Sequence, residues 1–187
     1  MIKKLMYACA LSAVSSVASA AVISYDFTGG SNAYGDPLLF SQGGLDLSVS
    51  GTPGIAVDRN LGLGVKSGIL DSYQVDGFGP DETLSMLFGE SVTLLSVLFG
   101  AVSYNDDFTL GVNGSYVGYA DIPSGGLFDF SGYNFTGTSF DFSVKGTNDD
   151  YYVSGITVAT AAVPEPGTLA LLGLGLAGLG AARRRKA

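Results

Sequence analysis

The chain has 187 residues and a net charge of −8, and it combines few charged residues (14%) with many glycines (28). It contains no histidine and no tryptophan, and its single cysteine is Cys9. Residues 21–160 therefore offer no imidazole base, no thiolate nucleophile and no nitrogen or sulfur ligand for a soft metal. A Ser-His-Asp mechanism is excluded on the same ground.

Charge is distributed unevenly along the chain. Between Ala21 and Val163 there are three basic and sixteen acidic residues, a net charge of −13. A domain with this charge repels nucleic acid and anionic lipid, so we expect no nucleic-acid partner. The same charge attracts calcium, or it simply keeps the domain soluble.

Residues 1–20 have the parts of a secretory signal peptide. Two lysines precede an apolar, small-residue run over residues 5–17, and Ala18 and Ala20 frame an Ala-x-Ala cleavage site. The run is too short and too rich in serine for a retained membrane helix. We therefore expect export by the Sec machinery, cleavage by signal peptidase and a mature chain that begins at Ala21.

Residues 21–160 show short apolar alternations bounded by Gly, Asn, Asp and Pro, a pattern typical of strands separated by turns. An Asn-Gly hairpin signal stands at 113–114. The clearest predicted strands are 45–49, 92–102, 108–112, 139–144 and 152–158. Residues 82–88 could form a helical turn, but their neighbours favour β structure. We count about nine or ten strands and predict an all-β fold, a jelly-roll-like antiparallel β-sandwich.

The last segment, residues 161–187, divides into three parts. Pro164 and Pro166 fix an extended stretch around Glu165. Residues 168–182 are uncharged and mostly Leu, Ala and Gly. As a helix they span about 22 Å, less than a hydrocarbon core of about 30 Å. A basic end follows and holds the terminus in the cytoplasm; its residues are Arg183, Arg184, Arg185 and Lys186.

This three-part tail resembles the PEP-CTERM sorting signal of Gram-negative bacteria. The resemblance implies recognition of Pro164, Glu165 and Pro166 by an exosortase, a membrane-embedded cysteine protease. It further implies a transient stay in the inner membrane, cleavage near the Pro-Glu-Pro segment, and transfer to the cell surface or the extracellular matrix of a biofilm. A permanent single-pass anchor is the alternative for the same tail.

A looser resemblance covers the middle of the chain. Segments between Gly62 and Gly114 look like the β-sandwich domains that often precede this tail. The resemblance implies an extracellular, lectin-like module, and it assigns no binding residue.

Acidic clusters are the candidate site chemistry of residues 21–160. Asn-Asp-Asp triplets stand at 105–107 and 148–150, and a third group contains Asp71, Asp76, Asp81 and Glu82. Hard oxygen ligands suit calcium, but Asn and Asp also satisfy backbone groups in turns. Because no cluster has the ligand spacing of an EF-hand, we favour turns and keep calcium as the alternative. No other cofactor is expected.

The sequence as a whole predicts a noncatalytic exported protein of the cell surface or exopolysaccharide matrix. Its tyrosines could stack on sugars; the candidates are Tyr73, Tyr104, Tyr116, Tyr119, Tyr133, Tyr151 and Tyr152. The alternative is a secreted polysaccharide-acting hydrolase with an Asp/Glu pair. Glu82 and Glu90 are the only glutamates between the terminal segments. A structural component without a soluble ligand is a third interpretation.

Overall fold

The computed structural model describes residues 20–162 together with Gly173 and Gly175. One compact unit spans Ala20–Ala161. In the part of the chain that is described, no helix is long and apolar enough to cross a membrane.

Several predictions for the two ends lie outside the described residues and stay predictions. They concern the signal peptide up to residue 19, with Ala18 of its cleavage site, the recognition residues Pro164, Glu165 and Pro166, and the basic end 183–187. Gly173 and Gly175 have helical backbone, and the rest of the predicted helix 168–182 is likewise outside the description.

Strands account for the regular structure of Ala20–Ala161, and their pairings are antiparallel. They are β1 (Val22–Asp26), β2 (Tyr34–Gly35), β3 (Leu38–Gln42), β4 (Leu45–Thr52), β5 (Ile55–Arg59), β6 (Gly62–Lys66), β7 (Val75–Asp76), β8 (Thr83–Gly100), β9 (Asp107–Val112), β10 (Ser115–Asp121), β11 (Leu127–Asp129), β12 (Thr136–Ser143) and β13 (Asp150–Thr160). The all-β prediction is confirmed. The predicted number of strands is too low, because β2, β7 and β11 have only two or three residues and show no alternation.

The strands form one hydrogen-bonded network in the order β10-β9-β12-β8-β13-β6-β5-β2, with β1, β3, β4, β7 and β11 attached to it. The 18-residue strand β8 is its centre. The first half of β8 pairs with β4 and β12, and the second half pairs chiefly with β13 and β11. Two sets of strands are thus joined through one long strand.

The core lies between these two sets of strands. Tyr25 of β1, which pairs with β13, has its ring centroid 6.0 Å from that of Phe88 in the first half of β8. Phe27 contacts Phe40 of β3 in the same way, at 5.1 Å. Contacts between rings from separate strand sets show that the apolar faces of the network pack on each other. The finer prediction, a jelly-roll connection order, is not established by this pairing.

The Asn113-Gly114 turn joins β9 to β10 as the sequence predicts. Both residues have positive φ angles, 50° and 75°. Two consecutive left-handed residues are the requirement of a type I′ hairpin turn, and Asn-Gly meets it with the least strain.

Candidate metal centre and sorting segment

Three carboxyl groups meet in the segment that joins β6 to β8. The short strand β7 lies within this segment and pairs with Asp150 and Tyr151 of β13, which draws Asp76 into the domain. Asp71, Asp76 and Glu82 each place one carboxylate oxygen within 4.8 Å of the other two. Glu82 is 0% exposed and Asp76 is 5% exposed. We call these three residues the acidic trio.

Asp71 is held by the chain just before it. Its Oδ2 accepts hydrogen bonds from the backbone N–H of Ser67 at 2.6 Å and from the Ser67 hydroxyl at 3.2 Å. The Lys66 ammonium donates to the backbone carbonyl of Asp71 and lies 4.5 Å from the centroid of the Tyr73 ring. The other oxygen of the side chain, Asp71 Oδ1, is buried and has no hydrogen-bond partner.

Asp76 and Glu82 are positioned by local turns. Asp76 accepts from the Ser72 hydroxyl at 2.6 Å and from the Phe78 N–H at 2.9 Å. Glu82 Oε2 accepts from the Asp76 N–H at 3.3 Å. Glu82 Oε1 is buried without a hydrogen-bond partner, like Asp71 Oδ1. Buried polar atoms are rarely left unsatisfied, so these two oxygens require an explanation.

Burial raises the pKa of Glu82 to about 7, and the charges of Asp71 and Asp76 act in the same direction, opposed by the Ser67 hydroxyl and the Asp76 N–H. Three carboxylates this close together repel one another unless a cation or a bound proton neutralises part of their charge. The trio can therefore hold either a shared proton or a cation with oxygen preference.

The two Asn-Asp-Asp triplets lie side by side. The side-chain amide of Asn105 donates to the carbonyl of Asn148 at 3.4 Å. Their middle aspartates, Asp106 and Asp149, are buried. Asp106 accepts from the N–H of Ser103 at 2.5 Å and from its hydroxyl at 2.9 Å.

Asp149 is satisfied just as fully. It accepts backbone N–H groups from Lys145 at 3.2 Å, Gly146 at 2.6 Å and Asp107 at 3.3 Å. Hydrogen bonds of this kind fix turns. The predicted turn role therefore describes the triplets, whereas the acidic trio retains two free, buried oxygens.

Asp107 and Asp121 are directly opposite each other in the β9–β10 hairpin. Burial raises the pKa of Asp107, and the Asp121 and Asp149 carboxyl groups add to this, opposed by Lys145. Because the folded pKa of Asp107 is raised, this residue contributes full stability at low pH, and the contribution is lost as pH rises through its folded pKa.

We expect Asp121→Asn to raise the Tm at pH 7 by about 2 °C, because it removes a cross-strand repulsion. The gain should vanish near pH 3, where the raised pKa of Asp107 leaves that carboxyl group uncharged. The control is Asp46→Asn, which removes the same charge from an exposed position on β4 opposite Ser41. Equal Tm shifts for both variants at pH 7 would show that net charge, not pairing, is responsible.

The two glutamates considered for a hydrolase do not form an accessible pair of carboxyl groups. Glu82, just before β8, is fully buried, and Glu90 within β8 is exposed. Asp46 lines a surface opening of about 460 Å³, and Asp26 lines one of about 320 Å³. A third opening, of about 140 Å³, is lined by no carboxylate. None of these three openings in the described domain is lined by two carboxylates.

The predicted sugar-stacking tyrosines fall into three groups, of which the half-buried one contains Tyr73 and Tyr152. Tyr151 is completely buried, where its hydroxyl donates to the Ser143 carbonyl at 2.8 Å, so it cannot bind an external ligand. The well-exposed ones are Tyr104, Tyr116, Tyr119 and Tyr133. Tyr104 and Tyr133 lie in turns between strands, whereas Tyr151 belongs to β13.

Prediction from sequence grouped Asp81 with the trio, but Asp81 is exposed and is not part of it. It missed Ser67, whose spacing of four residues before Asp71 was the available signal.

An acidic all-β domain followed immediately by a tail with proline, apolar and basic parts defines a class of protein, an exported domain with a C-terminal sorting segment. The family model described as the PEP-CTERM protein-sorting motif matches residues 162–186. The resemblance of the tail is thereby confirmed, and the motif indicates exosortase-targeted sorting. Neither a curated protein nor a solved structure matches the chain.

Proposed function

We propose that the chain is a noncatalytic protein of the cell surface or exopolysaccharide matrix, exported by its signal peptide and delivered by exosortase processing of its tail. One observation carries the proposal: β13 ends at Thr160, and the matched motif begins at residue 162. A cut anywhere within the motif leaves every strand of the domain intact.

The opposite end of the domain supports this arrangement. Ala21, the first residue expected after signal-peptide cleavage, accepts a hydrogen bond from the Thr160 N–H at 2.9 Å. Its own N–H donates to the Thr160 hydroxyl at 3.2 Å. Both processing steps would leave a domain with sandwich-like packing. Contacts between its first and last residues close this domain.

A noncatalytic role is supported by the distribution of carboxyl groups. Glycosidases place two carboxyl groups about 5–9.5 Å apart, on either side of the glycosidic bond that is cleaved. Both groups must therefore be accessible to the substrate. Glu82 has the raised pKa of a general acid but is 0% exposed, so a glycosidic oxygen has no access to it.

The proposed ligand surface is the aromatic opening beside β9 and β10. Tyr119 and Tyr133 line it and are 54% and 57% exposed. The Lys145 ammonium lies 3.3 Å from the centroid of the Tyr119 ring and restrains it. Exposed tyrosines with an apolar body and a polar tip suit a ligand that has apolar and hydroxyl surfaces, such as a polysaccharide.

The test uses the protein purified from its host together with the host's exopolysaccharide. We expect wild type to co-sediment with the polysaccharide and to release no new reducing ends. The double variant Tyr119→Ala, Tyr133→Ala should remain in the supernatant, whereas the control Tyr104→Ala, at a 98% exposed position outside the opening, should behave like wild type. New reducing ends would support the hydrolase, and absence of co-sedimentation would support a purely structural role.

A further inference from the structure

We propose that Asp71, Asp76 and Glu82 form a calcium site that fastens the segment between β6 and β8 to the body of the domain. This inference goes beyond the proposed function and does not depend on it. The segment, residues 67–82, starts directly after β6 and ends directly before β8.

The two unsatisfied oxygens are the first reason for a bound cation. Asp71 Oδ1 and Glu82 Oε1 are buried, belong to the same trio and receive no hydrogen bond. The remaining oxygens of the trio accept hydrogen bonds that hold the carboxylates in place. The Ser67 hydroxyl bonds Asp71 Oδ2 and also acts on the Glu82 carboxyl, but its single proton cannot satisfy both Asp71 Oδ1 and Glu82 Oε1. Two buried acceptors in one group of mutually close carboxylates are the arrangement that a cation satisfies.

The charge balance is the second reason. Three carboxylates carry a charge of −3 when ionised, and the ammonium of nearby Lys66 is directed to a backbone carbonyl and an aromatic ring. Burying such a charge without compensation is strongly unfavourable. A divalent cation reduces the charge of the group to −1 and contacts all three side chains at once.

The donor set selects calcium among common cations. All three ligands are carboxylate oxygens, and the chain contains no histidine, so zinc and other nitrogen- or sulfur-preferring metals find no suitable partner here. Oxygens up to 4.8 Å apart fit a shared cation at the usual calcium–oxygen distance of about 2.3–2.6 Å. Magnesium requires shorter distances and stricter octahedral geometry.

Apolar burial holds the segment at Val75 of β7, which is fully buried, but not in the residues before it. Its apolar side chains Ile69 and Leu70 are both 97% exposed, and Phe78 is 80% exposed. Burial of apolar surface therefore does little to hold residues 67–72, which depend on the hydrogen bonds of Asp71 and on whatever the trio binds. Gln74 has further attachments, because its carbonyl accepts from the Val65 N–H and its side-chain amide donates to Asp150.

The competing explanation is a proton shared between Glu82 and Asp71, and thermal unfolding distinguishes the two. The protein purified from its host is stripped with EDTA and then titrated with Ca²⁺ or Mg²⁺. With an affinity in the range of extracellular calcium modules, about 0.1 mM, we expect 5 mM Ca²⁺ to raise the Tm by about 5 °C or more, and Mg²⁺ to act more weakly.

Three isosteric variants complete the test. Glu82→Gln should lose the calcium response and should have a higher metal-free Tm than wild type, because its amide can donate to Asp71 Oδ1 and carries no charge. Asp71→Asn should lose the response as well. Asp81→Asn removes one charge from the neighbouring exposed position and should keep the full response.

A wild-type Tm that is the same in EDTA and in Ca²⁺ would overturn the proposal in favour of the shared proton. Loss of the response in Asp81→Asn, or an equal response to Mg²⁺, would overturn the assignment of the site or of the metal. Sorting and polysaccharide binding can each fail without changing any of these outcomes.

Discussion

Phe142→Ala is expected to lower the free energy of unfolding by about 3–5 kcal/mol, the usual cost of removing a buried aromatic ring. Phe142 is 0% exposed near the end of β12, and its ring centroid lies 6.2 Å from that of Phe99 and 6.5 Å from that of Phe108. These rings come from β8 and β9, so the cavity would lie where three strands meet, and urea unfolding measures its cost.

The matched control is Phe78→Ala, the same substitution at an 80% exposed position. It should change the free energy of unfolding by no more than about 0.5 kcal/mol. A loss below about 1 kcal/mol for Phe142→Ala would mean that the core is not packed as described.

Gly64→Ala is expected to destabilise the domain by about 3 kcal/mol, at the upper end for overpacking. A Cβ atom at Gly64 would lie 1.9 Å from the Tyr73 carbonyl oxygen. The 67–82 segment approaches β6 closely at this point, where the Val65 N–H also donates to the Gln74 carbonyl at 3.3 Å. Because the substitution pushes residues 73 and 74 away from β6, it should also weaken calcium binding by Asp71 and Asp76 on either side.

Gly132→Ala is the control for this prediction, since no atom lies within 4 Å of an added Cβ there. Its effect on the free energy of unfolding should stay within about 0.5 kcal/mol. Similar urea midpoints for the two alanine variants would contradict the close approach of Tyr73 to β6.

The strands that alternate regularly could be predicted because their pattern is local. In β12, Phe140 and Phe142 point to one side and are fully buried, as the two-residue period requires. The same holds for β4, whose residues from Leu45 onward alternate between buried and less buried positions.

The extent of β8 was not predictable in the same way. The sequence separates an apolar run at 92–102 from the ambiguous stretch 82–88, because Gly89, Glu90 and Ser91 lie between them. In the structure these three residues are exposed positions within one continuous strand. The strand continues through them because its two halves pair with different partners, which is a long-range property.

The acidic trio shows the same limit for the candidate site. Asp71, Asp76 and Glu82 are close in sequence, so their grouping was visible, but the burial of Glu82 was not. Glu82 contacts a strand that is distant in sequence, since the Ser143 hydroxyl of β12 donates to its carbonyl. The tail is the opposite case, since its proline, apolar and basic parts are contiguous and the motif was readable without any fold.

Export of the domain and processing of its tail by an exosortase can be tested together. The most direct measurement is the intact mass and membrane fraction of the protein recovered from its host, with wild type beside the triple variant Pro164→Ala, Glu165→Ala, Pro166→Ala. We predict that wild type begins at Ala21, ends near the Pro-Glu-Pro segment and leaves the inner membrane, while the variant stays behind. A wild-type protein that retains Arg183 to Ala187 and remains in the inner membrane would contradict the account and make the tail a permanent anchor.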